Sequence, residues 1–168
     1  MNIVIRSANP SDAPHVAEIL MRSWEAAYRG IMPADFIQAR NSLRPEQYKQ
    51  LLAADERTYY VICNGERIVG YMRIVNASEG DDAASSAYDL EQIYLHPDCW
   101  RQGIGTQAMA FACALARDAG KSAMVVWVLS ENTAAIAFYE KCGFFADGAK
   151  RQWNYGKVLE GIRMRRAL

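Results

Sequence analysis

The chain has 168 residues, 51% of them hydrophobic and 23% charged, enough for one domain with a sizeable core. Its 19 Lys and Arg balance 19 Asp and Glu, a zero net charge that argues against the basic face of a nucleic-acid-binding protein. No apolar run approaches the roughly 20 residues of a membrane span, and Met1 to Arg6 lacks the basic region and cleavage site of a signal peptide, so no membrane partner and a cytoplasmic location are expected.

Ile3 to Arg6 reads as a short strand. Asn9-Pro10-Ser11-Asp12 then opens a helix: Asn9 can cap it, Pro10 suits the first turn and Asp12 favours the dipole. Val16, Ile19, Leu20, Ser23 and Ala27 continue at helical spacing. Gly30 and Pro33 break the pattern, and two further helical pieces are predicted, Pro33 to Arg40 and Pro45 to Ala54. Thr58 to Cys63 and Ile68 to Val75 read as strands joined by an Asn64-Gly65 hairpin turn. Ser78 to Ser86 is small and polar, as in a loop. Ala87 to Leu95 is a further strand, and a helix follows the loop after it, running to Ala119 where Gly120 stops it. Ser122 to Leu129 is a continuous apolar strand of the type buried on both faces. Asn132 can cap a helix that Gly143 ends, and Phe144 to Leu168 reads as two short strands around a turn at Trp153 to Gly156. With no repeat or linker, this order predicts a mixed α/β fold in one domain, residues 1–168.

Cys63, Cys99, Cys113 and Cys142 show no C-x-x-C spacing, and with only His15 and His96 beside them no metal site is expected. They read as free thiols, with Cys113 and Cys142 in apolar helical contexts.

The stretch HPDCWRQGIGTQAM, His96 to Met109, carries the chemistry. Gly103 and Gly105 strip side chains from a turn that enters a helix, where backbone N–H groups and the helix dipole favour an anion and Arg101 adds charge. A Walker-type loop is excluded because no lysine stands there. Gly103, Gly105 and Ala108 also fit the dinucleotide pattern G-x-G-x-x-A, but the residues between Leu95 and Gly103 separate the glycines from the strand, against a Rossmann turn. A plain tight turn is the remaining alternative.

Leu90-Glu91-Gln92-Ile93-Tyr94-Leu95, His96-Pro97-Asp98 and Trp100-Arg101-Gln102-Gly103-Ile104-Gly105 together resemble the acyl-CoA signature of the GCN5-related N-acetyltransferases, the GNAT superfamily. Trp100 stands where that signature has Gln or Arg. SENTAAIAFYEKCGF, Ser130 to Phe144, resembles the second family motif, N-x-x-A-x-x-x-Y-x-x-x-G-F. The resemblance covers nearly the whole chain. It implies the GNAT fold, a mixed central sheet with two splayed parallel strands flanked by helices, the splayed pair being Ala87–Leu95 and Ser122–Leu129.

The resemblance further implies acetyl-CoA as co-substrate. Ile93, Tyr94 and Leu95 would pair with pantetheine through the main chain, Arg101, Gln102, Gly103, Ile104, Gly105 and Thr106 would hold the pyrophosphate, and Asn132 would contact the cofactor arm. Core packing is the alternative for Ile93 and Leu95, and helix capping for Asn132. Tyr139 matches the family tyrosine that protonates the leaving thiolate; its alternative is an aromatic on a buried face. A backbone N–H near Tyr94 or Leu95 would hold the carbonyl oxygen. The glutamate some members carry on the strand before the tyrosine helix is replaced by Trp127. Glu91 and Asp89 are the remaining carboxylates, Glu91 as base and Asp89 as an amine contact. Trp24 and Tyr28, four apart, share a helical face and could wall an amine pocket by cation–π contact, or simply pack in the core.

The function implied is acetyl transfer to a primary amine of a small molecule or peptide in a ternary complex. An acyl-CoA-binding module without turnover and a dinucleotide-binding protein are the competing classes. Family members are often homodimers, which makes a homodimer an expectation here too.

Overall fold

The computed structural model describes residues 2–54, 58–77 and 86–168. The loop expected from Ser78 onward falls at residues 78–85, outside the described residues. The elements, in chain order, are β1 (Ile3–Ser7), a 3-10 turn (Pro10–Asp12), α1 (Ala13–Ala27), α2 (Ala34–Ala53), β2 (Tyr59–Asn64), β3 (Arg67–Asn76), β4 (Ala87–Leu95), a 3-10 turn (Pro97–Cys99), α3 (Ile104–Asp118), β5 (Ala123–Leu129), α4 (Thr133–Lys141), β6 (Phe145–Asn154) and β7 (Val158–Ala167). The strands form a mixed seven-stranded sheet in the order β1-β2-β3-β4-β5-β7-β6. This is the mixed α/β architecture expected. Two compact units divide the chain, residues 1–73 with 92–108, and residues 74–91 with 109–168.

In the first unit β1 pairs antiparallel with β2, and β2 with β3. The β2–β3 turn differs by one residue from the expected one: Asn64 pairs with Arg67, so Gly65 and Glu66 form the turn, and Gly65 takes the positive φ of 61°. Asn9 closes a capping box with Asp12, and Asp12 also receives a two-pronged hydrogen bond from Arg6 at 2.7 and 2.8 Å. Val16, Ile19, Leu20, Ser23 and Trp24 bury one face of α1.

Where two helical pieces were expected, α2 is one helix with Pro45 inside it. Proline removes one intrahelical hydrogen bond, a cost of about 3 kcal/mol in a helix interior. Ile37, Asn41, Arg44, Tyr48 and Leu52 are all buried, and their three- and four-residue spacing carries one buried face straight past Pro45. Burial of that face offsets the lost bond.

Ile62, Val69, Cys99, Ile104 and Ala108 form an apolar cluster against which Ile3, Ile5, Ile93 and Leu95 pack. The end of β4 and the start of α3 therefore rest on the same cluster, and the glycine loop between them is anchored at both ends.

In the second unit the parallel ladder of β4 with β5 runs from Ala87↔Ala123 to Asp89↔Val125 and does not extend to Leu90 and Glu91. β5 is paired along its whole length with β7 and, as expected, is buried on both faces: Ala123, Met124, Val125, Val126, Val128 and Leu129 are all inside. β6 and β7 are longer than the short strands expected. β6 is largely exposed and has a register shift between Ala146 and Lys150, so it lacks the apolar alternation that marks a strand. Inside that irregularity Asp147 accepts from the buried Arg163 at 2.7 Å. Burial pushes the thiols of Cys113 and Cys142 up, which suits packing rather than reactivity. Among the described residues no His, Cys, Asp or Glu group of three or more could hold a metal, and no helix is long and apolar enough to cross a membrane.

Candidate acyl-donor and acceptor sites

The end of β4 is fixed by side chains from either side of it in sequence. The Leu95 carbonyl accepts from Ser23 Oγ at 2.7 Å and from the Trp100 indole at 2.8 Å, while His96 N–H donates to the Val69 carbonyl at 2.9 Å. Both lone pairs of the Leu95 carbonyl are thus engaged. Trp100, the residue that departs from the family signature, braces the strand end through this bond.

The loop then makes an unusual backbone excursion. Arg101 lies at φ 59° and Gly103 at φ 79°. A non-glycine residue in the left-handed region is uncommon and costs about 1–2 kcal/mol. Gln102 Nε2 donates to the Asp98 carbonyl at 2.7 Å and fixes the turn. Gln107 N–H closes the first helical turn onto Gly103 O at 3.2 Å. The N–H groups of Ile104, Gly105 and Thr106 precede that bond, so the helix itself cannot satisfy them. Arg101, Gln102, Gly103 and Thr106 are exposed, whereas the Ile104 side chain is fully buried in the core. Ile104 can therefore contribute only its main chain. Left-handed residues alternating before a helix N-terminus make a concave set of N–H donors suited to an anion.

In the second unit Asn132 caps α4, its Oδ1 accepting from Ala135 N–H at 3.2 Å, so the capping alternative is realised. Tyr139 is 8% exposed and sits between Phe138 and Phe144, with ring centroids 5.4 and 5.9 Å away. Its aromatic body is core. Asp89 is half-buried at the last step of the β4–β5 ladder, and Glu91 is exposed. Trp127 carries the Arg151 guanidinium 4.0 Å from its ring centroid. An indole beneath a cation leaves no base at that position.

Trp24 and Tyr28 meet edge to face at 5.1 Å, as their spacing predicts. The face of Trp24, however, is covered by the guanidinium of Arg44 at 4.2 Å. Tyr28 Oη lies 3.3 Å from Tyr94 Oη, which ties α1 to the end of β4. Below them Gln92 Oε1 accepts from Tyr71 at 2.7 Å and Tyr48 at 3.3 Å, and burial pushes both phenols up. Arg44, Tyr48, Tyr71 and Gln92 were not singled out by sequence. The available signal was the 3–4 spacing of Ile37, Asn41, Arg44, Tyr48 and Leu52, hidden because two members of that buried face are polar.

A family model described as the acetyltransferase (GNAT) family matches residues 14–144. A "Probable N-acetyltransferase" of Mycobacterium tuberculosis is 27% identical over 97% of this chain and 90% of its own length. An uncharacterised N-acetyltransferase of Bacillus subtilis, YuaI, is 27% identical over 82% of this chain and 78% of its own. Among solved structures, the PaiA N-acetyltransferase of Thermoplasma acidophilum, in complex with coenzyme A, superposes with a TM-score of 0.80 at 17% identity and covers all of both chains. YncA of Salmonella typhimurium, solved with acetyl-CoA, gives 0.70 at 21% identity over 100% of this chain and 95% of its own. With the fold shared at this level and the family model spanning most of the sequence, the chain belongs to the acetyltransferase (GNAT) family.

Proposed function

We propose that residues 1–168 act as one acetyl-CoA-dependent N-acetyltransferase domain, passing an acetyl group directly to a primary amine of a small molecule or peptide. The observation that carries this reading is the Arg101–Thr106 loop, with Arg101 and Gly103 left-handed ahead of open helix N–H groups. That cradle fits a pyrophosphate: its donors are main-chain, its surface is exposed and Arg101 supplies a positive charge. Main-chain groups of Ile93, Tyr94 and Leu95 would hold the pantetheine arm. The Leu95 carbonyl, already engaged by Ser23 and Trp100, is not among them.

Bound acetyl-CoA supplies an activated acyl carbon and a thiolate leaving group. The N–H of Tyr94 or Leu95 stabilises the oxyanion as it develops. Tyr139 delivers its phenolic proton to the departing sulfur, the role its motif gives it. Asn132 steadies the cofactor arm while capping α4. Asp89, half-buried, orients the amine, and Glu91, exposed in the middle of β4, takes the amine proton directly or through water.

A CoA-binding module without turnover is favoured by one feature, the stacked Trp127 where some members carry glutamate. Thermal shift with acetyl-CoA, CoA and NAD, followed by free-thiol release across an amine panel, separates the readings. Stabilisation by both CoA forms with amine-dependent thiol release supports the enzyme. Stabilisation without release on any amine supports the module, and stabilisation by NAD alone overturns both.

A further inference from the structure

Arg44 lies in the middle of the buried face of α2 and is 5% exposed. Its Nε donates to Asn41 Oδ1 at 2.9 Å, and its plane lies over Trp24. Nη2 is buried with no hydrogen-bond partner, and no carboxylate pairs with Arg44 among the described residues. Arginine stays charged at neutral pH, and a buried charge is costly unless an opposite charge meets it. The aromatic face repays part of that cost. Tyr28, Tyr48 and Tyr94 hydroxyls act on the guanidinium from nearby, yet none supplies a negative charge in its ordinary neutral state. Among the described residues the nearest carboxylate in this network, Glu25, reaches Arg44 only through Asn41, whose Nδ2 lies 3.4 Å from Glu25 Oε1, so the guanidinium meets no anion directly.

The surroundings say where such an anion would come from. Tyr28 bonds Tyr94, and Tyr94 belongs to the strand end that the proposed reading assigns to the acyl donor. The Trp24 face that could have received a cationic amine is already occupied by a cation of the chain itself. A second positive group brought against Arg44 would be repelled, whereas a planar monoanion matches both the charge and the fork of the guanidinium.

We propose that Arg44 binds the carboxylate of the acceptor, so that the amine acetylated belongs to a carboxylate-bearing molecule of the amino-acid class. This rests on the N-acetyltransferase reading above and specifies its substrate. Tyr28 and Tyr94 then line the path between the anchored carboxylate and the amine.

The test compares free L-amino acids and ω-amino acids with their own carboxamides, using the full chain and acetyl-CoA. The acid is expected to exceed its amide by at least tenfold in kcat/KM, since a site built to pair with a charged group discriminates strongly against its absence. Arg44→Gln is expected to bring that ratio close to one, mainly by raising KM, with the CoA-induced thermal shift reporting that the variant is folded. The wild-type comparison stands without the variant. Equal use of acid and amide, or efficient use of neutral amines alone, overturns the carboxylate assignment and leaves the acetyltransferase reading intact. If no amine is acetylated, that reading fails, and calorimetric titration of the CoA-saturated protein decides the inference separately. Binding of acids but not amides supports it, and binding of neither overturns it.

Discussion

Trp100 Nε1 donates to the Leu95 carbonyl at 2.8 Å, so the aromatic residue that departs from the family signature closes the strand end onto the glycine loop. The same carbonyl receives Ser23 from α1, and one atom thereby ties together a helix, a strand and the loop. Trp100→Phe keeps most of the bulk and removes the donor. A hydrogen bond of this kind contributes about 0.5–1.5 kcal/mol net. We expect a stability loss of that size in urea unfolding and a several-fold rise in KM for acetyl-CoA; an unchanged KM would separate the brace from donor binding.

Gly103 at φ 79° has open space where a Cβ would stand, so substitution there is a conformational experiment and not a steric one. Gly103→Ala should cost about 1–2 kcal/mol of left-handed strain, or else re-aim the loop. Either outcome disperses the N–H donors. CoA affinity measured by calorimetry is expected to fall about tenfold, a loss far beyond any change in secondary structure content by circular dichroism.

Gly70 is the opposite case. A Cβ there would collide with Leu95 Cδ2 and lie 2.9 Å from Ile62 Cδ1 and 3.0 Å from the Tyr94 carbonyl. Gly70→Ala must shift the ends of the Leu95 and Ile62 side chains and presses on the Tyr94 carbonyl. Overpacking of this sort costs about 1–3 kcal/mol. The expected result is a lower midpoint of thermal unfolding together with reduced turnover, whereas a substitution at the open Gly65 turn that keeps its positive φ, Gly65→Asn, leaves turnover unchanged.

Asp12 gives a pH-dependent contribution whose sign is fixed by its surroundings. Burial works to raise its carboxyl, but the Arg6 hydrogen bonds, the Asn9 N–H and the Arg6 charge together hold it below the ordinary carboxylate value. A lowered folded-state value means stability that is complete above the unfolded value, about 3.9, and lost as pH falls through the folded one. Asp12→Asn should therefore destabilise by about 1–3 kcal/mol at pH 7. The gap to wild type should narrow below about pH 4 in denaturant titrations; a gap independent of pH would remove the ion pair from the explanation.

Tyr139 combines a buried aromatic body with the proposed acid role, and Tyr139→Phe separates the two. The ring contacts with Phe138 and Phe144 survive the change, so folding and CoA affinity should be preserved. Turnover is expected to drop 10- to 1,000-fold, the range of a lost general acid. Undiminished turnover would leave Tyr139 as packing alone.

The fold was legible wherever local signals agreed with burial. The Asn9 cap, the apolar run of β5 and the Gly120 stop each rest on short-range chemistry and are found where the sequence places them. The continuous α2 was not legible, because Pro45 is a local breaker and the face that overrides it includes Asn41 and Arg44, which read as solvent-facing. The lengths of β6 and β7 escaped for a related reason: an exposed strand with a register shift shows no alternation. The glycine loop could be recognised from its residues, but the left-handed Arg101 and the bracing by Trp100 are details of loop geometry that the residue pattern does not specify. The charge at the Trp24–Tyr28 wall was the least accessible. Trp24 and Tyr28 suggested a cation-binding wall, and only the position of Arg44 shows that the cation already belongs to the protein.

The most direct measurement is mass-spectrometric detection of acetylated product when the purified protein is given acetyl-CoA and a panel of primary amines, with thiol release followed in parallel. Acetylated amine formed in step with free CoA, and absent without protein, is the result predicted. Thermal stabilisation by CoA with no acetylated product from any amine would contradict the account and leave a binding module in its place.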